Sequence, residues 1–414
     1  MTRTLRHVDA GRAEEVFAAL RDALAGGPAV LPREAASDVR TGRSRTGGEE
    51  SGTEETGTEQ AGTEETVARN VALVIETSGS TGVPKRVALS ADALLASAAA
   101  SAGAMGGQGQ WILALPAHYV AGAQVLVRSI AAETEPLVYG SGHFDAERFS
   151  ALADGLTHDL RYTSLVPVQL ARLIDAVDAG SREVARSLRR FDGILVGGQA
   201  LTPELRERAE TVGARILSTY GSSETAGGCV YDGVPIGTTT VRSVGGLLEI
   251  AGPTLAEGYL GDDGRTRTAF HDADGRRWYR TGDLGRVDDG RVTVFGRADN
   301  VIISGGEKVL LDAVEQVVRG IPGLEAAIVV ASDDDEWGQV PVVVVARGDR
   351  VGDPAGDRTG SALRELRATV ADRVGRAAAP ARIVEVGSLP TLSSGKPDRV
   401  TAARMAATTS GDEA

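Results

Sequence analysis

Between residues 71 and 218, short β-branched runs alternate with helical stretches, and this alternation restricts the fold of the 414-residue chain more than any other feature. Val71-Ala72-Leu73-Val74-Ile75 opens the series as a buried strand. An Ala-rich helix at 91–103 follows, then a strand at 111–115, a helix at 145–154 and a strand at 161–164. A helix at 167–176, a strand at 193–196, a helix after Pro203 and a strand at 215–218 complete it. Such order predicts an α/β protein with largely parallel sheets and helices on their faces. From about 240 to 298 short strands with Asp-Gly turns predict antiparallel hairpins and a small β-barrel-like part. Beyond Asn300 a smaller α+β unit is expected: a hairpin at 301–310, helices at 311–319 and 361–374, and strands at 326–330, 340–346 and 382–386. The predicted division is 1–298 and 299–414.

Two segments lie outside that alternation. Residues 13–20, with Leu24 a turn further on, have helical apolar spacing. Residues 41–66 are almost devoid of apolar side chains and repeat Gly52-Thr53-Glu54-Glu55, Gly57-Thr58-Glu59-Gln60 and Gly62-Thr63-Glu64-Glu65. An acidic repeat of this kind buries too little to offset chain ordering, so a disordered surface loop is expected. The overall charge is -13, which argues against a nucleic-acid partner, since a phosphate backbone needs a basic surface. Cys229 is the single cysteine and forms no intramolecular disulfide. No apolar run reaches the ~20 residues of a membrane helix. A cytoplasmic protein without membrane insertion is expected, with a homodimer as one candidate assembly.

The sharpest local signal is Thr77-Ser78-Gly79-Ser80-Thr81-Gly82-Val83-Pro84-Lys85, directly after the strand at 71. Its glycines let backbone N–H groups converge on an anion, its hydroxyls add donors, and its lysine adds charge. It departs from the Walker A pattern because Val83 and Pro84 separate Gly82 from Lys85. Four further strings follow in order: Tyr220-Gly221-Ser222-Ser223-Glu224-Thr225, Trp278 to Gly285 around Gly282-Asp283, Gly296-Arg297-Ala298-Asp299-Asn300, and Thr391 to Arg399 around Lys396. Singly, each is an ordinary turn, ion pair or exposed tail. Their order and number give them meaning.

In that order they resemble the adenylate-forming (AMP-binding) acyl-CoA synthetase superfamily, over residues 71 to 399. Gly197-Gly198-Gln199-Ala200 resembles the turn beside the adenine, and Gly246 to Ile250 with Gly258-Tyr259 resembles a further signature of the family. The resemblance implies a carboxylic acid, ATP, Mg²⁺ and coenzyme A. An acyl-adenylate forms first, and a thiol then displaces AMP. It implies that Thr77, Ser78, Gly79, Ser80, Thr81, Gly82 and Lys85 hold the β- and γ-phosphates, and that Glu224 binds Mg²⁺. By the same resemblance Tyr220 stacks on adenine within the turn Gly221-Ser222-Ser223, and Asp283 with Arg297 holds the ribose. Lys396 reaches the α-phosphate and the acid, carried on a C-terminal domain that rotates about Asp299–Asn300. Ser304, Gly305 and Gly306 then line the thiol channel.

Several positions depart from the family pattern. Arg86 stands where glycine is common, Ser223 where threonine is usual, Asn300 where aspartate is common, and Pro397 where an aliphatic residue more often follows the lysine. The abridged N-terminal region and the string Leu113 to Ser129 resemble the o-succinylbenzoate–CoA ligase subfamily of menaquinone biosynthesis, in its short actinobacterial form. That likeness implies that His118 borders the acyl pocket. An acid with two carboxylates also needs a buried donor, for which Arg128 and Ser222 are the candidates. Another aryl- or acyl-CoA ligase, a stand-alone adenylation enzyme and a non-catalytic nucleotide-binding protein are the alternatives.

Overall fold

The computed structural model describes residues 1–34, 65–77, 84–347, 360–391 and 397–408. The acidic repeat as far as Glu64, residues 78–83 and residues 392–396 therefore lie outside the described residues. The last two residues of the expected disordered loop are instead ordered: Leu5 N donates to the Glu65 carbonyl (2.7 Å), and Thr66 begins a strand paired with Thr2–Asp9.

Two large sheets sandwich a layer of helices. The first has the strand order Gly258–Tyr259, Lys85–Ser90, Val71–Thr77, Ala29–Arg33, Thr2–Asp9, Thr66–Ala68. Only its three middle neighbours, Val71–Thr77, Ala29–Arg33 and Thr2–Asp9, run parallel; the other pairings are antiparallel. This sheet is mixed, which the alternation of elements did not reveal. The second sheet is parallel from Ile216–Ser222 through Gly193–Val196, Arg161–Leu165 and Gln110–Leu113 to Leu137–Val138. Gly227–Tyr231 and Val234–Pro235 extend it antiparallel.

Helices Ala13–Leu24, Ala91–Met105 and Val120–Ala131 fill the space between the sheets. Val16, Leu20, Leu94, Val125 and Leu126 there join Leu73, Ile75 and Leu89 of the first sheet to Trp111, Leu113 and Tyr162 of the second. Alanine is the commonest residue of Ala91–Met105; small side chains bring its axis close to its neighbours. Ser90 Oγ caps that helix at Ala93 N (3.3 Å), and Gly106 ends it at φ 89°. The other face of the second sheet is covered by Ala146–Ala153, Pro167–Asp178, Arg182–Arg190 and Pro203–Val212.

The hairpin-rich region is a five-stranded antiparallel sheet organised around the long strand Arg276–Asp288, which pairs with Leu247–Ala251, Phe270–Ala273 and Arg291–Arg297. A last five-stranded sheet is built wholly from Val301 onward. Its two faces carry separate cores, one under Leu311–Arg319 and Gly360–Arg373, the other under Arg399–Thr408. Arg399 joins these faces. It donates to both carboxylate oxygens of buried Glu315 (2.5 and 2.9 Å) and to the Val329 carbonyl (2.9 Å). The segment bearing Lys396 is thereby anchored at its base, where Thr391 bridges to Pro397 and Asp398 N donates to Pro390 O (2.9 Å).

Candidate active site

Two of the motifs lie at the carboxyl ends of the second sheet, where open α/β sheets place their ligands. Strand Gly193–Val196 runs into Gly197-Gly198-Gln199, and strand Ile216–Ser222 runs into a 3₁₀ turn, Ser223–Thr225. Glycine is required at two of these positions. A Cβ at Gly197 would lie 2.2 Å from Thr219 Oγ1, and one at Gly221 would lie 2.1 Å from the Gly227 carbonyl oxygen. Thr225 Oγ1 accepts from Ser222 N (2.9 Å) and donates to Gly227 O (2.7 Å), which holds the turn in shape.

Two polar groupings form around this turn. In the first, Tyr220 donates its hydroxyl to Asp283 Oδ2 at 2.6 Å, and Arg297 Nη1 reaches Asp283 Oδ1 at 3.3 Å. Arg297 also clamps Asp299 through two bonds (3.1 and 3.0 Å). Burial pushes the Asp283 carboxyl above its ordinary range, and the bonds from Tyr220 and Arg297 oppose that rise. Tyr220 is pushed well up by burial and by the adjacent carboxylate. Arg297 holds Asp299 below the usual carboxylate range, with Lys85 contributing. In the second grouping, Tyr259 donates to Glu224 Oε1 at 2.8 Å, and the Lys85 ammonium stands 5.8 Å from the Tyr259 ring centre. Glu224 is buried, yet among the described residues its Oε2 has no hydrogen-bond partner. A buried carboxylate with one oxygen unengaged by the described residues suits a hard cation that takes its remaining ligands from phosphates.

Lys85 begins a strand rather than a helix, and Thr77 pairs with it across the antiparallel ladder. Residues 78–83 thus join two paired antiparallel strands. Ser78, Gly79, Ser80, Thr81 and Gly82 lie outside the described residues, as does Lys396. His118 follows the strand Gln110–Leu113 and packs on Tyr119 (ring centres 4.0 Å apart), with Nε2 3.5 Å from Glu34. Among the described residues its Nδ1 is buried without a partner, and burial lowers its pKa, with Glu34 opposing. Ser304, Gly305 and Gly306 form the tip of the hairpin of Val301–Ser304 and Glu307–Leu310, where Gly305 N donates to Trp337 O (2.9 Å). Among the described residues no hydrogen bond or ion pair joins that tip to the two groupings. Gln199 does meet the C-terminal sheet unit, through Arg319 Nη1 at 3.4 Å.

Sequence reasoning missed the role of Tyr259, which appeared only as part of a signature, and of Thr281, whose Oγ1 receives Asp283 N (2.9 Å). The adjacency of Gly258-Tyr259 to the phosphate-loop hairpin was the available signal, since Tyr259 pairs with Val87.

Residues 15–262 match the family described as AMP-binding enzyme, and residues 313–396 match the AMP-binding enzyme C-terminal domain. The chain belongs to that family. It is an AMP-forming acid–thiol ligase with the adenylate-forming fold, and its family binds ATP and AMP. It is 38% identical over 345 residues to a probable 2-succinylbenzoate–CoA ligase of Mycobacterium tuberculosis, covering 82% of this chain and 86% of that protein. A 2-succinylbenzoate–CoA ligase of Salmonella typhimurium is 32% identical over 67% of this chain and 58% of its own length. Among solved structures, an Escherichia coli MenE variant with bound OSB-AMS aligns with TM-score 0.64 and 26% identity, over 83% of this chain and 70% of that one. A Bacillus subtilis o-succinylbenzoate CoA synthetase with ATP and a magnesium ion shares the fold at TM-score 0.66 and 24% identity, over 80% and 69%. Among the described residues no helix is long and apolar enough to cross a membrane.

Proposed function

We propose that the chain converts 2-succinylbenzoate, ATP and coenzyme A to 2-succinylbenzoyl-CoA, AMP and pyrophosphate, as a step toward menaquinone. The observation that carries this reading is Arg128. Its side chain is buried at 6% exposure, and among the described residues no carboxylate lies within ion-pair distance of it. Its neighbours are the Tyr231 hydroxyl (3.4 Å from Nη2) and the Trp111 ring (5.0 Å to the centre), and its Nε has no partner. A buried cation without a counter-charge is costly. An acid that retains one carboxylate after the other is activated supplies that charge. The names of the 38% and 32% identical relatives support the same substrate.

In this mechanism a substrate carboxylate oxygen attacks the α-phosphorus and pyrophosphate leaves. A coenzyme A thiolate then attacks the acyl carbon, and AMP leaves. The first step brings two anions together, so charge neutralisation and alignment dominate its barrier. Thr77, Lys85 and the loop between them hold the phosphate tail; Asp283, oriented by Tyr220 and Arg297, accepts from the ribose hydroxyls; Tyr220 and Gly198-Gln199 flank the base. Glu224, fixed by Tyr259, would hold Mg²⁺, which neutralises phosphate charge when bound. Lys396 enters for adenylation and is withdrawn when the C-terminal unit turns about Asp299–Asn300 to present Ser304, Gly305 and Gly306 to the thiol.

ATP–pyrophosphate exchange across a panel of acids tests the assignment. Exchange with 2-succinylbenzoate at least tenfold above that with benzoate, succinate and fatty acids is expected, and Arg128→Met should abolish that preference. Exchange favouring a monocarboxylic acid would point to another acyl-CoA ligase. Adenylation without thioester formation from coenzyme A would point to a carrier-protein acceptor.

A further inference from the structure

Helix Val120–Ala131 carries a second buried polar group that no contact inside the protein explains. Gln124 is wholly buried, and among the described residues neither its Oε1 nor its Nε2 has a hydrogen-bond partner. It precedes Arg128 by four residues, so the two side chains share a helix face about 6 Å apart along the axis. A leucine would fill this site with no polar atoms to satisfy, whereas a buried amide left unpaired is destabilising. Buried polar groups of this kind in a native protein call for a partner from elsewhere.

The surroundings indicate where that partner comes from. A Cβ built on Gly227 would lie 3.3 Å from Gln124 Cγ, so the glutamine stem packs on the turn that leaves Glu224. In that turn Ala226 and Gly227 have φ of 50° and 97°, and Ser97 Oγ donates to the Ala226 carbonyl (3.0 Å). Gln124 therefore stands between the turn bearing Glu224, where the reacting carboxylate meets the nucleotide, and Arg128, assigned above to the remaining carboxylate. In 2-succinylbenzoate the ketone lies between the two carboxylates along the carbon skeleton, whichever is activated.

We propose that Gln124 is a specificity residue whose Nε2 donates a hydrogen bond to the ketone oxygen of the bound acid. The proposal rests on the assignment of 2-succinylbenzoate as substrate. The amide is buried against the left-handed turn at Ala226–Gly227. A site built to hydrogen-bond a substrate oxygen discriminates strongly against the analogue that lacks it.

The test compares 2-succinylbenzoate with its deoxo analogue, 2-(3-carboxypropyl)benzoate, in steady-state kinetics of the full-length enzyme. The wild type should favour the ketone acid. Gln124→Leu should lower kcat/KM for the ketone acid at least tenfold and leave the deoxo acid and the KM for ATP unchanged, so the preference collapses. Thermal stability of Gln124→Leu should be equal to or above wild type, because an unpaired buried amide has been removed; Gln124→Met should behave alike. Equal losses with both acids, or an unaltered ketone preference, would overturn the proposal while leaving the substrate assignment standing. A wild type that turns over neither acid would overturn both.

Discussion

In the proposed mechanism Asp283 must be ionised to accept from two ribose hydroxyls, yet burial favours its protonated form. Tyr220 and Arg297 resolve that conflict by hydrogen-bonding to the charged state. Tyr220→Phe removes the 2.6 Å bond, so the carboxyl should rise further and the acid limb of nucleotide binding should move to higher pH. A KM for ATP raised about tenfold, equivalent to ~1.4 kcal/mol, is the expected size for one bond to a charged group. ATP titrations of both proteins from pH 5 to 8 would check both effects. His118 behaves oppositely. Burial lowers its pKa below 6.5, so below that pH the unfolded chain takes up a proton that the folded chain resists. Stability is lost as pH falls through that window, and His118→Gln should show a smaller drop in Tm between pH 7.5 and 5.5 than wild type.

Among the elements, the segment proposed as a hinge shows a departure from the family pattern acquiring a physical reason. Asn300 donates its amide to Asp312 Oδ1 (2.9 Å), while Asp312 Oδ2 accepts from Arg297 N (2.8 Å). An aspartate at 300 would set two carboxylates against each other here. Asn300→Asp should therefore weaken this arrangement by about 1–3 kcal/mol. Faster limited proteolysis near residue 300 and a lower Tm would report it; unchanged values would show that the bond contributes nothing. The elements read from sequence were those with strong periodicity, such as Leu311–Arg319 and Arg382–Val386. Two amphipathic helices, Val120–Ala131 and Arg182–Arg190, were missed outright, along with strands of weak pattern. Thr2–Asp9 buries only Leu5 and Val8, three residues apart, which matches neither strand nor helix spacing clearly. Lys85–Ser90 was hidden because its first residue had been assigned to the loop chemistry.

On the scale of the molecule, the order of motifs was legible because each string has a distinctive local composition, although Asp283 proves to lie within the strand Arg276–Asp288 rather than on a turn. What pairs with what was not. The Tyr220–Asp283 and Tyr259–Glu224 bonds join residues 63 and 35 positions apart, and only the packed sheets bring them together. Nor did composition reveal that Gln124 is buried without a partner. The two-domain mechanism makes its own prediction. Lys396→Ala should abolish pyrophosphate exchange yet retain most thioester formation from preformed acyl-adenylate, and equal loss of both would remove the case for alternating poses. The most direct measurement is product analysis of the purified protein incubated with 2-succinylbenzoate, ATP, Mg²⁺ and coenzyme A. The account predicts AMP and 2-succinylbenzoyl-CoA in equal amounts, with Arg128→Met making little of either. Thioester formed readily from other acids but not from 2-succinylbenzoate would contradict it.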